Sequence, residues 1–367
     1  MKVAECEDAL CDNTLVCDSI RATEAYMVTT LQTSASFWQP TQEDPGSPTP
    51  IGAVEVPIRK EFPRSYEVPE GCMVIDDLSE DDFLYPVKIH KEIYVTRSVD
   101  ESYGGGSVDL PIWLFTPRID DMPVKPNIDR WPTVVFVRGS GFGPQTVLDY
   151  LNYYVRIAER GYVVAALQYR SSDIAPFPAQ MQDCKTAVRY VRKNAERLHV
   201  DADHIGLWGD SSGGTTVLQA GFTGDNGPDT DDYCEYSAAV NCIIDWYGVV
   251  DMTAMNYYPT IMDNNSPDGP IGRELGGVRV LDHPELADAA SPITYLNANA
   301  ETPPTLIMHG GRDSDVPFNQ SCRLFRKMKE LGKEVAFIKL NDGTHGYYGF
   351  RTNRAMDIVD AYLRSHL

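Results

Sequence analysis

The stretch DADHIGLWGDSSGGTTVLQAG, residues 201–221, decides the fold. The apolar strand of the run HIGLWG ends at Trp208, Ser211 stands in a Gly-x-Ser-x-Gly pattern with Gly209 and Gly213, and a helix-compatible segment, TTVLQAG, follows Gly214. Strand, sharp turn and helix are what a nucleophile elbow requires, because the glycines leave room for a strained backbone that lifts the serine hydroxyl above the sheet. The start of the helix adds N–H groups where negative charge would develop. So short a pattern also arises by chance, and the rest of the chain has to supply its context.

Outward from this stretch the chain alternates. TVVFVRG (133–139), YVVAALQY (162–169), HIGLWG (204–209), VNCIIDWYG (240–248), TLIMHG (305–310) and VAFIKL (335–340) are continuous apolar runs, as expected of strands buried on both faces. Between them lie helical stretches, most clearly AQMQDCKTAVRYVRKNAERL, where Met181, Cys184, Val188, Val191, Ala195 and Leu198 recur every three or four residues. Strand and helix in alternation predict a mostly parallel central sheet covered by helices on both faces. Upstream, VKIHKEIYVT and VDLPIWLFTP flank SYGGGS and predict an antiparallel hairpin.

A serine hydroxyl attacks a carbonyl only when a base takes its proton and an acid orients that base. Of seven histidines, His345 is placed best, in NDGTHGYYGF after the last strand and before the final helix. His309 closes a strand, His366 is terminal, and His90, His199, His204 and His283 have exposed or strand-like settings. For the acid, Asp313 in HGGRDSDVPF is favoured; Asp315, an alternative, has the position of a helix N-cap, and Asp251 follows the strand before.

The order Ser211, Asp313, His345 is the one described for α/β-hydrolases. Residues 86–367 resemble an α/β-hydrolase serine esterase of the branch related to acetyl and feruloyl esterases, and more distantly the prolyl oligopeptidase catalytic domain. The segments that carry the resemblance are QYRSSDIAPFPAQMQDCKTAVRYVRKNA, DADHIGLWGDSSGG and SPITYL…PPTLIMHGGRDSDVP. It implies an α/β-hydrolase fold, with an N-terminal extension here, and a triad of Ser211, Asp313 and His345. Many such esterases carry His-Gly-Gly-Gly where this chain has Arg138-Gly139-Ser140-Gly141-Phe142, so the oxyanion donors expected are the amides of Ser140, Gly141 and Ser212. Arg138 either braces this loop or meets an acidic group of the substrate.

The composition of 367 residues, 43% hydrophobic and 23% charged, is that of a globular protein, and no apolar run approaches the length of a membrane helix. A net charge of −21 argues against nucleic acid and anionic membranes as partners. The first 82 residues hold 17 acidic and 5 basic side chains, and TQEDPGSPTP (41–50) has the composition of a linker. Residues 1–85 are therefore set apart as an acidic extension, able to support a homo-oligomer, from a catalytic domain at 86–367 with an insertion around 252–290. The first twenty residues lack the pattern of a secretory signal, and eight scattered cysteines, Cys6, Cys11 and Cys17 among them, match no zinc spacing. A cytoplasmic location is expected, and no cofactor or metal is implied.

The function expected is hydrolysis of small-molecule carboxylic esters through an acyl-enzyme. Phe142, Trp246, Tyr247, Tyr257, Tyr258, Tyr347 and Tyr348 fall on segments that should wall the site, and residues 223–270 hold nine acids with no Lys or Arg. With an insertion too short and too polar to shelter a fatty chain, short or aromatic (hydroxycinnamoyl) acyl groups on carbohydrates or plant phenolics are the expected substrates. The rivals are a serine peptidase of prolyl oligopeptidase type and a hydrolase-like protein that only binds. The acidic, Pro-rich 85 residues cannot build the propeller such a peptidase adds.

Overall fold

The computed structural model describes residues 69–71, 73, 84–119 and 128–367. The expectations for residues 1–68, including Cys6, Cys11, Cys17 and the 41–50 linker, lie outside the described residues. Eight strands form one sheet in the order β1-β2-β4-β3-β5-β6-β7-β8. They are β1 (Val87–Ser98), β2 (Ser107–Pro117), β3 (Trp131–Val137), β4 (Val163–Leu167), β5 (Val200–Asp210), β6 (Cys242–Trp246), β7 (Thr305–Gly310) and β8 (Val335–Leu340). β2 runs antiparallel to both β1 and β4, and every pairing from β4 across to β8 is parallel. The hairpin reverses through Gly104, Gly105 and Gly106, all at positive φ, which only glycine adopts without strain. Tyr85, assigned by composition to the extension, is fastened to this sheet unit: its N–H donates to Glu159 O at 2.7 Å and its ring packs on Trp131.

The longer helices are α1 (Leu151–Ala158), α2 (Ala179–Lys193), α3 (Ser212–Thr223), α4 (Asn319–Glu330) and α5 (Asn353–His366). Strand residues alternate between two packed layers, as the two-residue period of a strand demands. Val135, Val137, Ala165, Leu207, Ile243 and Ile307 share one core with Met181, Cys184 and Val188 of α2, Val217 and Leu218 of α3, and Leu324 and Met328 of α4. On the other set of positions Phe115 and Phe136 pack on Tyr154 of α1, while Trp208 and Trp246 meet edge to face. The long helical stretch at 179–198 breaks at Asn194 (φ −100°, ψ 17°), so Ala195 and Leu198 belong to a separate turn, Ala195–Leu198. α3, directly behind Ser211, is buried at every position; its residues are mostly small, and its polar side chains find partners there, Thr216 donating to Ser212 O, Thr223 to Gln219 O and Gln219 to Ala290 O.

The 252–290 insertion folds as short helical pieces over a satellite core of Phe142, Met252, Met255, Ile271, Leu275, Val280 and Ala287. It reaches the loop after β7 through Ile261 N–H, which donates to Ser314 O at 3.0 Å. The loop after β4 is held by an ion pair beneath it. Arg170 donates to the fully buried carboxylate of Asp183 in α2 from its backbone and its guanidinium, both at 2.9 Å. That pair joins the Tyr-Arg and Asp of the esterase-like segment and fixes where Tyr169 stands.

Candidate active site

Ser211 occupies φ 53°, ψ −125° between the end of β5 and the start of α3. A serine holds such a conformation only where its surroundings over-determine it. Its N–H donates to Trp246 O at 2.8 Å, and its carbonyl accepts from Thr215 N–H at 3.0 Å. The flanking glycines are required sterically: a Cβ on Gly209 would stand 2.3 Å from Gly213 O, and one on Gly213 would stand 2.0 Å from Val137 O. Both obstacles are backbone atoms that no rotamer change can move.

The loops after β5, β7 and β8 bring three side chains together at the carboxyl edge of the sheet, where open α/β sheets place their ligands. His345 Nε2 lies 2.9 Å from Ser211 Oγ, and His345 Nδ1 lies 2.8 Å from Asp313 Oδ2. Oδ1 of Asp313 accepts from the N–H groups of Asp315 and Val316, each at 2.9 Å. Burial works to raise the pKa of Asp313, but hydrogen bonds from His309 and His345 outweigh it and hold the carboxyl well below its usual range. The carboxylate is thus an acceptor only, which puts the His345 proton on Nδ1 and leaves Nε2 to accept from the serine. Burial disfavours the imidazolium of His345; the facing charges of Asp313, Asp315 and Asp210 prevail and raise its pKa above 6.5.

Neither alternative acid joins this array. Asp251 pairs with Arg323 and accepts from Ala254 N–H at 2.9 Å, while Asp315 accepts from Ser314 Oγ at 3.0 Å. The remaining histidines have other partners: His90 with Glu92, His204 with Asp201, His283 with Glu285 and His366 with Glu334, while His199 ends a helical turn at φ 55°. His309 is the residue that sequence position undervalues. Fully buried, it meets Ser321 Oγ at 2.7 Å and Val316 O at 3.0 Å, with Nε2 only 3.4 Å from Asp313 Oδ2.

On the expected oxyanion loop the structure makes one correction. Ser140 N–H donates to Ser212 Oγ at 2.9 Å and is not spare, whereas the amides of Gly141 and Ser212 have no protein partner among the described residues. Arg138 lies against the loop. It donates to Gly139 O and to Asp149 Oδ2, both at 3.2 Å, and its guanidinium stacks on Tyr150 with 5.0 Å to the ring centre. Asp210, next to Ser211, accepts from Gly139 N–H at 2.9 Å and Tyr150 OH at 3.2 Å, and burial raises its pKa.

The aromatic side chains divide. Trp246 is wholly buried between Trp208, Tyr153 and Phe350, Phe142 lies in the satellite core, and Tyr247 packs on the His345 ring at 4.6 Å. All three are buried, so they are packing and not pocket wall. Tyr347 and Tyr348, just past His345, are about two-thirds exposed, as are Tyr257 and Ile261 of the insertion. A cavity of about 730 Å³ lined by Phe222, Asn241, Tyr295 and Pro304 adjoins the amino ends of β6 and β7, at the opposite edge from Ser211, Asp313 and His345.

A serine at a strand–helix elbow, with an aspartate and a histidine on two further loops at the same edge of this mostly parallel sheet, is the arrangement of an α/β-hydrolase. The BD-FAE family model matches residues 122–328, more than half of the chain, and the chain belongs to that family. It is 27% identical over 247 residues to Esterase LipC of Mycobacterium tuberculosis, covering 65% of this chain and 56% of LipC. The chain thus spans little more than half the length of that relative. Among solved structures, a truncated carbohydrate esterase from gut microbiota superposes with a TM-score of 0.62 at 25% identity, covering 78% of this chain and 98% of that one. The propionate-bound esterase Est2 of Thermogutta terrifontis superposes with a TM-score of 0.56 at 25% identity, covering 77% and 94%. No helix among the described residues is long and apolar enough to cross a membrane.

Proposed function

We propose that the chain is a serine carboxylic-ester hydrolase. The observation that carries this is the continuous relay Ser211 Oγ, His345, Asp313, with contacts of 2.9 and 2.8 Å and the proton-accepting nitrogen turned to the serine. In this scheme Ser211 attacks the ester carbonyl as His345 Nε2 takes its proton, and the charge that develops on the carbonyl oxygen is met by the amides of Gly141 and Ser212. His345 then gives the proton to the leaving alcohol. Water, activated by the same nitrogen, attacks the acyl-enzyme and frees the acid and Ser211.

The substrates proposed are short-chain or hydroxycinnamoyl esters, with carbohydrates or plant phenolics as the alcohol. The exposed rings of Tyr347, Tyr348 and Tyr257 offer faces on which a sugar or an aryl group can stack, and the gut carbohydrate esterase and propionate-bound Est2 accord with a small acyl group on such an alcohol. The test compares kcat/KM for acetyl, butyryl, octanoyl and feruloyl esters, acetylated oligosaccharides and peptide anilides, beside labelling by a fluorophosphonate probe. Labelling lost in Ser211→Ala and an optimum at acetyl, butyryl or feruloyl support the proposal. An optimum at octanoyl, or faster cleavage of anilides, overturns it.

A further inference from the structure

Ser140, Tyr169 and Ser212 come from three separate segments and meet through their hydroxyls. Ser140 Oγ donates to Gly143 O at 2.6 Å. Tyr169 OH lies 3.1 Å from Ser140 Oγ and 3.2 Å from Ser212 Oγ, and Ser140 N–H donates to Ser212 Oγ at 2.9 Å. The direction of every bond follows from the first. Gly143 O can only accept, so the single proton of Ser140 Oγ is committed to it. Tyr169 must then donate to Ser140 Oγ, and Ser212 must donate to Tyr169 OH. This leaves a lone pair on Ser212 Oγ for the Ser140 amide. The result is a closed ring in which each hydroxyl donates once, an arrangement whose members polarise one another.

The ring has no slack. Tyr169 and Ser212 are nearly fully buried, and burial raises the pKa of Tyr169 against its hydrogen bonds with Ser140 and Ser212, so its phenol keeps its proton. A second strap starts on the same residue: Tyr169 N–H donates to Gln145 Oε1 at 2.9 Å, and Gln145 Nε2 donates to Arg138 O at 2.5 Å. The loop 138–143 is therefore tied at its first carbonyl and at its middle.

We infer that Tyr169 and the Ser212 side chain are positioning residues: through the ring they lock the 138–143 loop to the first residue of α3, so that the amides of Gly141 and Ser212 keep a fixed separation. Ser212 acts twice, its side chain holding the loop and its amide serving as a donor. By engaging the Ser140 amide, the ring also assigns the hole to two donors and not three. The inference rests on the ester-hydrolase proposal for its kinetic consequence and on the hydrogen bonds alone for its structural one.

The experiment uses Tyr169→Phe, Ser212→Ala and the double variant in the full chain, and reads amide hydrogen exchange over 138–143 alongside kcat and KM for an acetyl ester. Each single variant opens the ring, and exchange there is expected to quicken about tenfold with kcat falling by roughly the same factor and KM within about twofold. The double variant is expected to lose little more than either single one, because both cut the same ring. Unchanged exchange in the folded variants overturns the ring, and so does a rise in KM at constant kcat. If the unmodified protein cleaves no ester, the proposed function falls and the exchange data still decide on the ring.

Discussion

His309 Nε2 stands 3.4 Å from Asp313 Oδ2, the same oxygen that receives His345 Nδ1 at 2.8 Å. Because Nε2 of His309 also faces Val316 O, which can only accept, Nε2 carries a proton, and Nδ1 meets the Ser321 hydroxyl. The acid of the proposed triad is thus backed by a buried donor.

His309→Leu should cost about 1–3 kcal/mol of stability, since Ser321 and Val316 O lose a buried partner. Turnover should fall by no more than about tenfold, because His345 keeps the shorter bond to Asp313. Urea unfolding and kcat/KM measured on the same preparation check both. A loss as large as that of Asp313→Asn would make His309 part of the relay.

Asp313→Asn should lower kcat by about 10⁴, because an amide facing Nδ1 favours the wrong tautomer. Asp251→Asn should leave kcat within about twofold and cost about 1 kcal/mol through the weakened cap of the turn at Ala254. Steady-state kinetics of the two variants rank the acids. The reverse order would move the acid to the loop after β6.

The pH dependence follows from the direction of the His345 shift. Only neutral His345 accepts the serine proton, so kcat/KM should climb with pH along a limb whose midpoint lies above 6.5. In Asp313→Asn the residual activity should show that midpoint moved down. For stability, the raised His345 contributes fully below 6.5 and loses its contribution as pH rises through the folded pKa. The depressed Asp313 contributes above 3.8 and loses its contribution as pH falls through its folded pKa. The pair should therefore stabilise the fold most between about pH 4 and 6.5. A midpoint at or below 6.5 in the unmodified protein contradicts this account.

Arg138→Ala should reduce kcat by less than about tenfold, because the ion pair with half-exposed Asp149 is worth little and Gln145 still holds the Arg138 carbonyl. Neutral and anionic esters should suffer alike. A loss confined to anionic esters would make Arg138 a specificity residue.

Much of this protein can be read along the chain. Parallel strands are continuous apolar runs, so TLIMHG and VAFIKL mark β7 and β8 to the residue, although only β7 is buried throughout and β8, at the sheet's edge, buries Val335 alone; Ser211, Asp313 and His345 are nominated by their places just past such runs. What the chain cannot express is which face a side chain takes and which distant group it meets. Trp246 and Phe142 look like pocket walls until the sheet's pleat and the folded insertion bury them. The Ser140 amide looks spare until Ser212, 72 positions later, arrives with a hydroxyl. His309 looks like the end of a strand until the loop carrying Asp313 turns back over it. Hydrophobic period is a local property written into consecutive residues, and it determines the strands, the helices and the chain order of the site. Hydrogen-bond partnership depends on angstrom-scale distances between segments far apart in sequence, and only their packing decides it.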